Sequence, residues 1–290
     1  CTGSANVNAT SGIVELGGIK FYRANNAITE FTCADIYYGG TPSPQIKATD
    51  ISNGVTYTYS QTPDDMESFK PWSDTNPAGI WYVKAKVNKT LNYTEVTSAP
   101  VEFTVKKSQL VPEVASLQSK EYDGGTTAVG TLKLTAAAGS HIPTNDDYSI
   151  NAPDAVTGNF AWTSKDAGTK TVDVTEIALK DSFTTNYELS TSALLGVSCG
   201  DAQITNAQID NVTAVPNRTL TYNKNSQRVD VTTTGITVDN SPVTFTYAET
   251  EEGLETSPQT EVPAFTDAGT YVVHYKASAL NHDSVTGTFE

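Results

Sequence analysis

Histidine is scarce in this chain, three in 290 residues, and so are cysteine (three), tryptophan (three) and methionine (one). His141, His274 and His282 stand apart, and none lies in a run that brings it a carboxylate and a nucleophile. Acid–base and nucleophilic catalysis need those partners at hydrogen-bond distance, so no catalytic residues are assigned and the chain is read as non-enzymatic. The count and spacing of Cys and His exclude zinc sites of that type. Cys1, Cys33 and Cys199 cannot all pair; Cys33 and Cys199 lie in apolar strand contexts, where a thiol serves as a small buried hydrophobe. Basic residues are few, 18 against 33 acidic ones, for a formal charge of −15. Such a surface cannot neutralise phosphates, which excludes nucleic acid, and its plain use is solubility. No apolar run approaches the roughly 18 residues of a membrane-spanning helix. No window of a dozen residues shows the apolar stripe of an amphipathic helix either. Asp64-Asp65, Asn145-Asp146-Asp147 and Glu249 to Glu252 lack the alternate ligand spacing and turning glycine of a calcium loop. No metal site and no cofactor are expected.

Thr, Val and Tyr, which favour strands, are plentiful. They are organised around a unit that reads best in its last copy, Thr266-Asp267-Ala268-Gly269-Thr270-Tyr271-Val272-Val273-His274-Tyr275. This is a polar turn followed by a period-two stretch: Tyr271, Val273, Tyr275 and Ala277 on one face, Val272, His274, Lys276 and Ser278 on the other. The unit also occurs around Ala78-Gly79 and, more loosely, around Ala167-Gly168, so the copies stand 89 and 101 residues apart. Two further markers recur in the same order. An aromatic turn comes early in each copy (Tyr38-Gly39-Gly40, Tyr122-Asp123-Gly124-Gly125, Tyr222-Asn223). An Asn-aromatic pair comes late (Asn92-Tyr93, Asn186-Tyr187, Asn281-His282).

The chain therefore divides into a tail and hairpin (residues 1–27) and three modules, 28–106, 107–206 and 207–290. Gly17-Gly18 supplies the positive φ of a tight hairpin turn. Val174, Ile177 and Leu179 break simple alternation, which predicts a bulge. Pro63 to Pro77, Ser140 to Asp147 and Glu249 to Glu255 read as polar loops. Lys106-Lys107-Ser108 and Thr205-Asn206-Ala207 read as short linkers.

The three markers in one order resemble the bacterial Ig-like repeats of cell-surface and secreted proteins. Lys120-Glu121-Tyr122-Asp123-Gly124-Gly125-Thr126-Thr127 looks like the repeat type named for its Tyr-Asp-Gly motif, and the flanking modules look like related mostly bacterial Ig-like repeats. The resemblance implies an all-β fold: three tandem Ig-like β-sandwich modules in an extended array. In immunoglobulin sandwiches a Tyr two residues before the core Cys hydrogen-bonds back to upstream backbone. Tyr271 and Val273 have that spacing, and Trp81 and Val83 repeat it with an indole, whereas Lys170 departs from it. A β-grasp fold of similar length needs a central helix, for which there is no signal.

The functional expectation is a spacer or stalk within a bacterial surface or secreted adhesin-like protein. The alternative is a module that binds a host glycan or host protein through exposed aromatics, with Phe69, Trp72 and Trp162 as candidates. Part of a secreted hydrolase ranks third. The chain is expected to be a monomer, extracellular, and anchored by lipid if Cys1 is the acylated Cys of a mature lipoprotein, with the small-polar Thr2-Gly3-Ser4-Ala5-Asn6 after it. Strands of this kind rise about 3.3 Å per residue, so three modules in line should span on the order of 100–120 Å. Small-angle scattering with a maximum dimension of about 70 Å would contradict that arrangement.

Overall fold

The period-two stretch after Gly269 becomes the strand Val273–Ser278, in which Val273, Tyr275 and Ala277 are buried and the residues between them are half-buried. This computed structural model describes residues 22–150, 152 and 154–290. The expected Gly17-Gly18 hairpin and Cys1 lie outside the described residues. The fold is all-β, a multi-domain array whose paired strands fall into three successive groups.

In the first group Ile36–Tyr37, Val101–Lys106, Gly79–Val87 and Val55–Ser60 form one sheet in that order, with Val96–Thr97 added on Gly79–Val87. Ile28–Thr32 pairs with Gln45–Ala48 in a second sheet. The second group has three small sheets. Ser108–Leu117 lies between Gly130–Ala136 and Tyr187–Leu189, and Val172–Leu179 lies between Val156–Trp162 and Leu194–Val197. In the third sheet, Gln203–Thr205 lies between Gly168–Thr169 and Lys120–Glu121. In the third group Asp210–Pro216 pairs with Val231–Ile236, and Val273–Ser278 runs between Thr244–Ala248 and Val285–Phe289. The core of this last group draws on both its sheets, through Ala214 on one side and Tyr247, Val273, Tyr275 and Phe289 on the other.

The chain divides into two compact units. One comprises the residues up to Gln109 with Ala138–Thr144 and Thr185–Tyr187; the other comprises Leu110–Ala137, Asn145–Thr184 and Glu188–Glu290. The first unit thus holds the first strand group together with three short segments of the second, Ser108-Gln109, Ala138–Thr144 and Thr185–Tyr187.

The expected bulge is present. Register shifts between Thr157 and Asn159 opposite Val172–Leu179, and Glu176 takes a φ of 53° there. Gly158 stands in the gap, where a Cβ would meet Val174 Cγ1 at 2.8 Å. Two expected loops are instead short helices, Thr144–Ile150 and Glu251–Thr256. Among the described residues Ile150 and Leu254 are buried on them, and Thr250 Oγ1 caps the second helix by accepting from Gly253 N at 3.1 Å. Helices of six or seven residues are too short to leave a periodic stripe, and tertiary burial rather than propensity holds them. Cys33 and Cys199 are free, and both are half-buried rather than buried as expected. Partial burial, and secondarily the nearby charge of Asp35, pushes the Cys33 thiol up to about 11. Among the described residues no helix is long and apolar enough to cross a membrane.

The backward hydrogen bond expected at the start of the Ala-Gly strands forms in both aromatic cases. Trp81 Nε1 donates to Pro77 O at 2.9 Å and Tyr271 Oη donates to Asp267 O at 2.9 Å, each four residues upstream. Their burial differs. Trp81 is 8% exposed, but Tyr271, expected in the core, is only half-buried, stacked on Phe265 with centroids 4.0 Å apart. Tyr271→Ala should therefore cost about 1–2 kcal/mol, less than the roughly 3 kcal/mol or more of a fully buried ring. Denaturant unfolding followed through third-group amides checks this, and a loss above ~3 kcal/mol would show that the ring does belong to the core.

Candidate functional site: a joint built twice

Of the three candidate aromatics, Trp162 is 2% exposed, so it does not offer a ring to a ligand. Trp72 is half-buried and packs edge-on against Tyr59 and Trp81, with its Nε1 donating to Gly40 O at 2.9 Å. Phe69 lies under the Lys84 ammonium, 4.0 Å from the ring centroid. Both precede the strand Gly79–Val87, on a loop pinned by paired backbone bonds between Tyr59 and Lys70. Trp72 closes the end of the first core and fixes the Tyr38-Gly39-Gly40 turn. The structure does not bring the three rings together.

What it does bring together are the recurring markers. Within the first unit, the turn at Tyr38 meets the pair Asn186-Tyr187. The rings of Tyr38 and Tyr187, each 2% exposed, cross edge-on with centroids 5.2 Å apart. Asn186 Oδ1 accepts from Ala78 N, of the Ala-Gly turn, at 3.0 Å, and its carbonyl accepts from Ser108 N at 2.9 Å. Ser108 is fully buried; its hydroxyl donates to Tyr38 O at 2.7 Å and accepts from His141 N at 3.1 Å. Gly39 (φ 81°) is required by proximity as well as by conformation, since a Cβ there would lie 3.0 Å from His141 Cβ.

The second unit repeats the arrangement one marker set later. The ring of Tyr122, 3% exposed, crosses that of His282 edge-on at 5.4 Å. Asn281 Oδ1 accepts from Ala167 N at 3.0 Å, and Asn281 O accepts from Ala207 N at 3.0 Å. Ala207 stands where Ser108 stood. Asp283 N donates to Ala207 O at 2.8 Å, which closes the edge. His282 Nδ1 lies 2.8 Å from Leu280 O, so that nitrogen carries the proton. The histidine does packing work here, in the place a tyrosine fills in the first unit.

The second joint has a further polar feature. Tyr122 Oη donates to Asp239 Oδ2 at 2.7 Å, and the Ser241 hydroxyl donates to the same oxygen at 2.6 Å. The Ser241 hydroxyl first and the Tyr122 hydroxyl second hold the Asp239 carboxyl well below the usual carboxylate range. A depressed folded-state value contributes stability that is complete above the ordinary aspartate pKa of about 4 and fades as pH falls from there. The melting difference between the native chain and Asp239→Asn should accordingly be constant above about pH 5 and shrink in stronger acid. A difference independent of pH down to about pH 2 would show that the carboxylate charge plays no part.

Tyr38, Ala78, Tyr122, Ala167, Asn186-Tyr187 and Asn281-His282 are visible in the sequence as markers, but their contact is not. Neighbouring marker sets supply the two halves, with Ala78 and Asn186 108 positions apart and Ala167 and Asn281 114 apart. The available signal was the co-occurrence of an aromatic turn and an Asn-aromatic pair in every copy.

The site is thus, within each unit, a contact between recurring sequence markers, and the described residues hold no group of three or more metal-ligating side chains. In comparison with known proteins, residues 105–194 match the YDG domain, as the Tyr122-Asp123-Gly124 motif implied. No curated protein matches the chain. A solved structure of the three N-terminal domains of the bacteriophage RB49 highly immunogenic outer capsid protein is similar at 16% identity, over 89% of this chain and 97% of that one, with a TM-score of 0.25.

Proposed function

We propose that this chain is a non-enzymatic spacer of a bacterial cell-surface or secreted adhesin-like protein, in which the joint holds one module on the next. The observation that carries the reading is that the joint is built twice from equivalent residues. In each, an aromatic pair, an Asn carboxamide on an Ala-Gly turn and a linker amide on the Asn carbonyl lock neighbouring strand groups. Fasteners repeated at each junction serve to transmit position, which a spacer needs and a set of independent binding modules does not. The acidic balance of −15 suits a permanently solvated surface, and the YDG match supports a surface or structural module. Glycan binding has no comparable support, because two of its three candidate rings are occupied by core packing and the third by a cation–π contact.

An antibody raised against the chain, applied to intact cells that carry its gene, tests the location. Labelling before lysis is expected; labelling only after lysis sinks the surface reading. Backbone ¹⁵N relaxation tests the joint: residues on either side of Asn206-Ala207 should share one rotational correlation time. Tyr122→Ala combined with Asn281→Ala should split it into two.

A further inference from the structure

The third strand group carries the same receiving half of a joint, without an occupant among the described residues. Its turn is a copy of the one in the second group. Asn223 Oδ1 accepts from Asn225 N at 2.9 Å, as Asp123 Oδ1 accepts from Gly125 N at 2.8 Å. The next residue is left-handed in both, Gly124 at φ 77° and Lys224 at φ 70°. A lysine is strained in that region, so the turn geometry is kept even where the residue opposes it. The ring it presents is open: Tyr222 is 54% exposed where Tyr38 and Tyr122 are buried. The Ala-Gly turn is open as well. Ala78 N and Ala167 N each donate to an Asn carboxamide, and Ala268 N has no partner among the described residues. Between these groups lies a cavity of about 490 Å³, lined by Leu220, Tyr222, Phe265, Asp267, Ala268 and Tyr271. The half-exposure of Tyr271, against the burial of Trp81 at the equivalent place, belongs to the same opening.

The geometry points to a specific occupant: we infer that this face receives the linker and Asn-aromatic edge of one further module of the same repeat type. The two filled joints state the required chemistry. An Asn carboxamide oxygen accepts from Ala268 N, and an aromatic ring covers Tyr222 edge-on. A linker amide then closes on the Asn carbonyl. The edge itself is a standing feature of these modules, since even the first group has it, with Ala24 N on Asn92 O at 2.8 Å and Thr94 N on Ala24 O at 2.9 Å. The inference concerns what covers this face and stands whether or not the protein works at a cell surface.

The test extends the full chain. Residues 206–290 are repeated directly after Glu290, so that the added Asn206-Ala207 follows Glu290 as Asn206-Ala207 follows Thr205. A second extended chain carries residues 107–206 in that place. Amide exchange is read at Ala268, with Ala167 as the filled-joint reference, and solvent access is read at Tyr222. In the unextended chain Ala268 should exchange freely. On extension its exchange should slow by roughly tenfold or more, the worth of one buried hydrogen bond, and Tyr222 should become protected. Asn281→Ala in the added copy should release Ala268 while Tyr222 stays covered. An Ala268 amide that is unchanged in both extended chains overturns the inference. Self-association of the unextended chain that protects Ala268 also overturns it, by assigning the face to a second copy.

Discussion

Trp81→Ala is expected to cost the first strand group about 3–5 kcal/mol, the usual range for deleting a core aromatic. The indole is 8% exposed, crosses Trp72 edge-on at 5.4 Å and is the third residue of a strand in which Val83, Ala85 and Val87 are fully buried. Its removal leaves a void against Trp72 that cannot collapse, because Trp72 is itself tied to Gly40 O and packed on Tyr59 and Phe103. At roughly 4–8 °C per kcal/mol for a domain of this size, the melting midpoint should fall by more than about 12 °C. Trp81→Phe separates packing from the backward hydrogen bond. It keeps most of the ring and loses the Nε1 bond to Pro77 O, so about 1 kcal/mol of the total should go with it. Calorimetry of both variants measures the two contributions. If Trp81→Ala melted within a few degrees of the native chain, the ring would not be the keystone its burial indicates.

Strand identity was legible in the sequence because burial on one face leaves a period of two, and Val273, Tyr275 and Ala277 show it directly. The bulge was legible for the converse reason: Val174 and Ile177 are both buried but three positions apart, so a residue between them had to be extruded. The two short helices were not legible. Ile150 and Leu254 are their buried side chains among the described residues, and helices of six or seven residues are too short to show a repeating apolar period. The loop aromatics divide for a physical reason as well. A sequence shows that Trp72 is apolar in a polar loop, a property shared by a ligand platform and a core lid, and only the placement of Gly40 O beneath its Nε1 decides for the lid. The joint was half legible. Tyr38, Tyr122, Asn186 and Asn281 recur visibly, but period and spacing report neighbours along a strand, whereas these residues meet across more than a hundred positions.

The second large effect is expected at the joint itself. Tyr187 is among the largest fully buried side chains, and it is the residue through which Thr185–Tyr187 belongs to the first unit while beginning the strand Tyr187–Leu189. Tyr187→Ala removes a whole buried ring, for about 3–5 kcal/mol, and it uncovers the side of the Tyr38 ring that the edge-on contact closes. Tyr38→Ala alone should cost a similar amount. The two costs should not add, because once one ring is gone the other has lost its edge-on contact. A double-mutant cycle should yield a coupling of about 0.5–1.5 kcal/mol, the range for an aromatic pair beyond its area. Exchange rates locate the effect: Asn186 loses its hold with the ring, so Ala78 N and Ser108 N should both open in Tyr187→Ala. A coupling of zero, with Ala78 and Ser108 still protected, would mean that the rings are adjacent without being fastened, and that the carboxamide alone makes the joint.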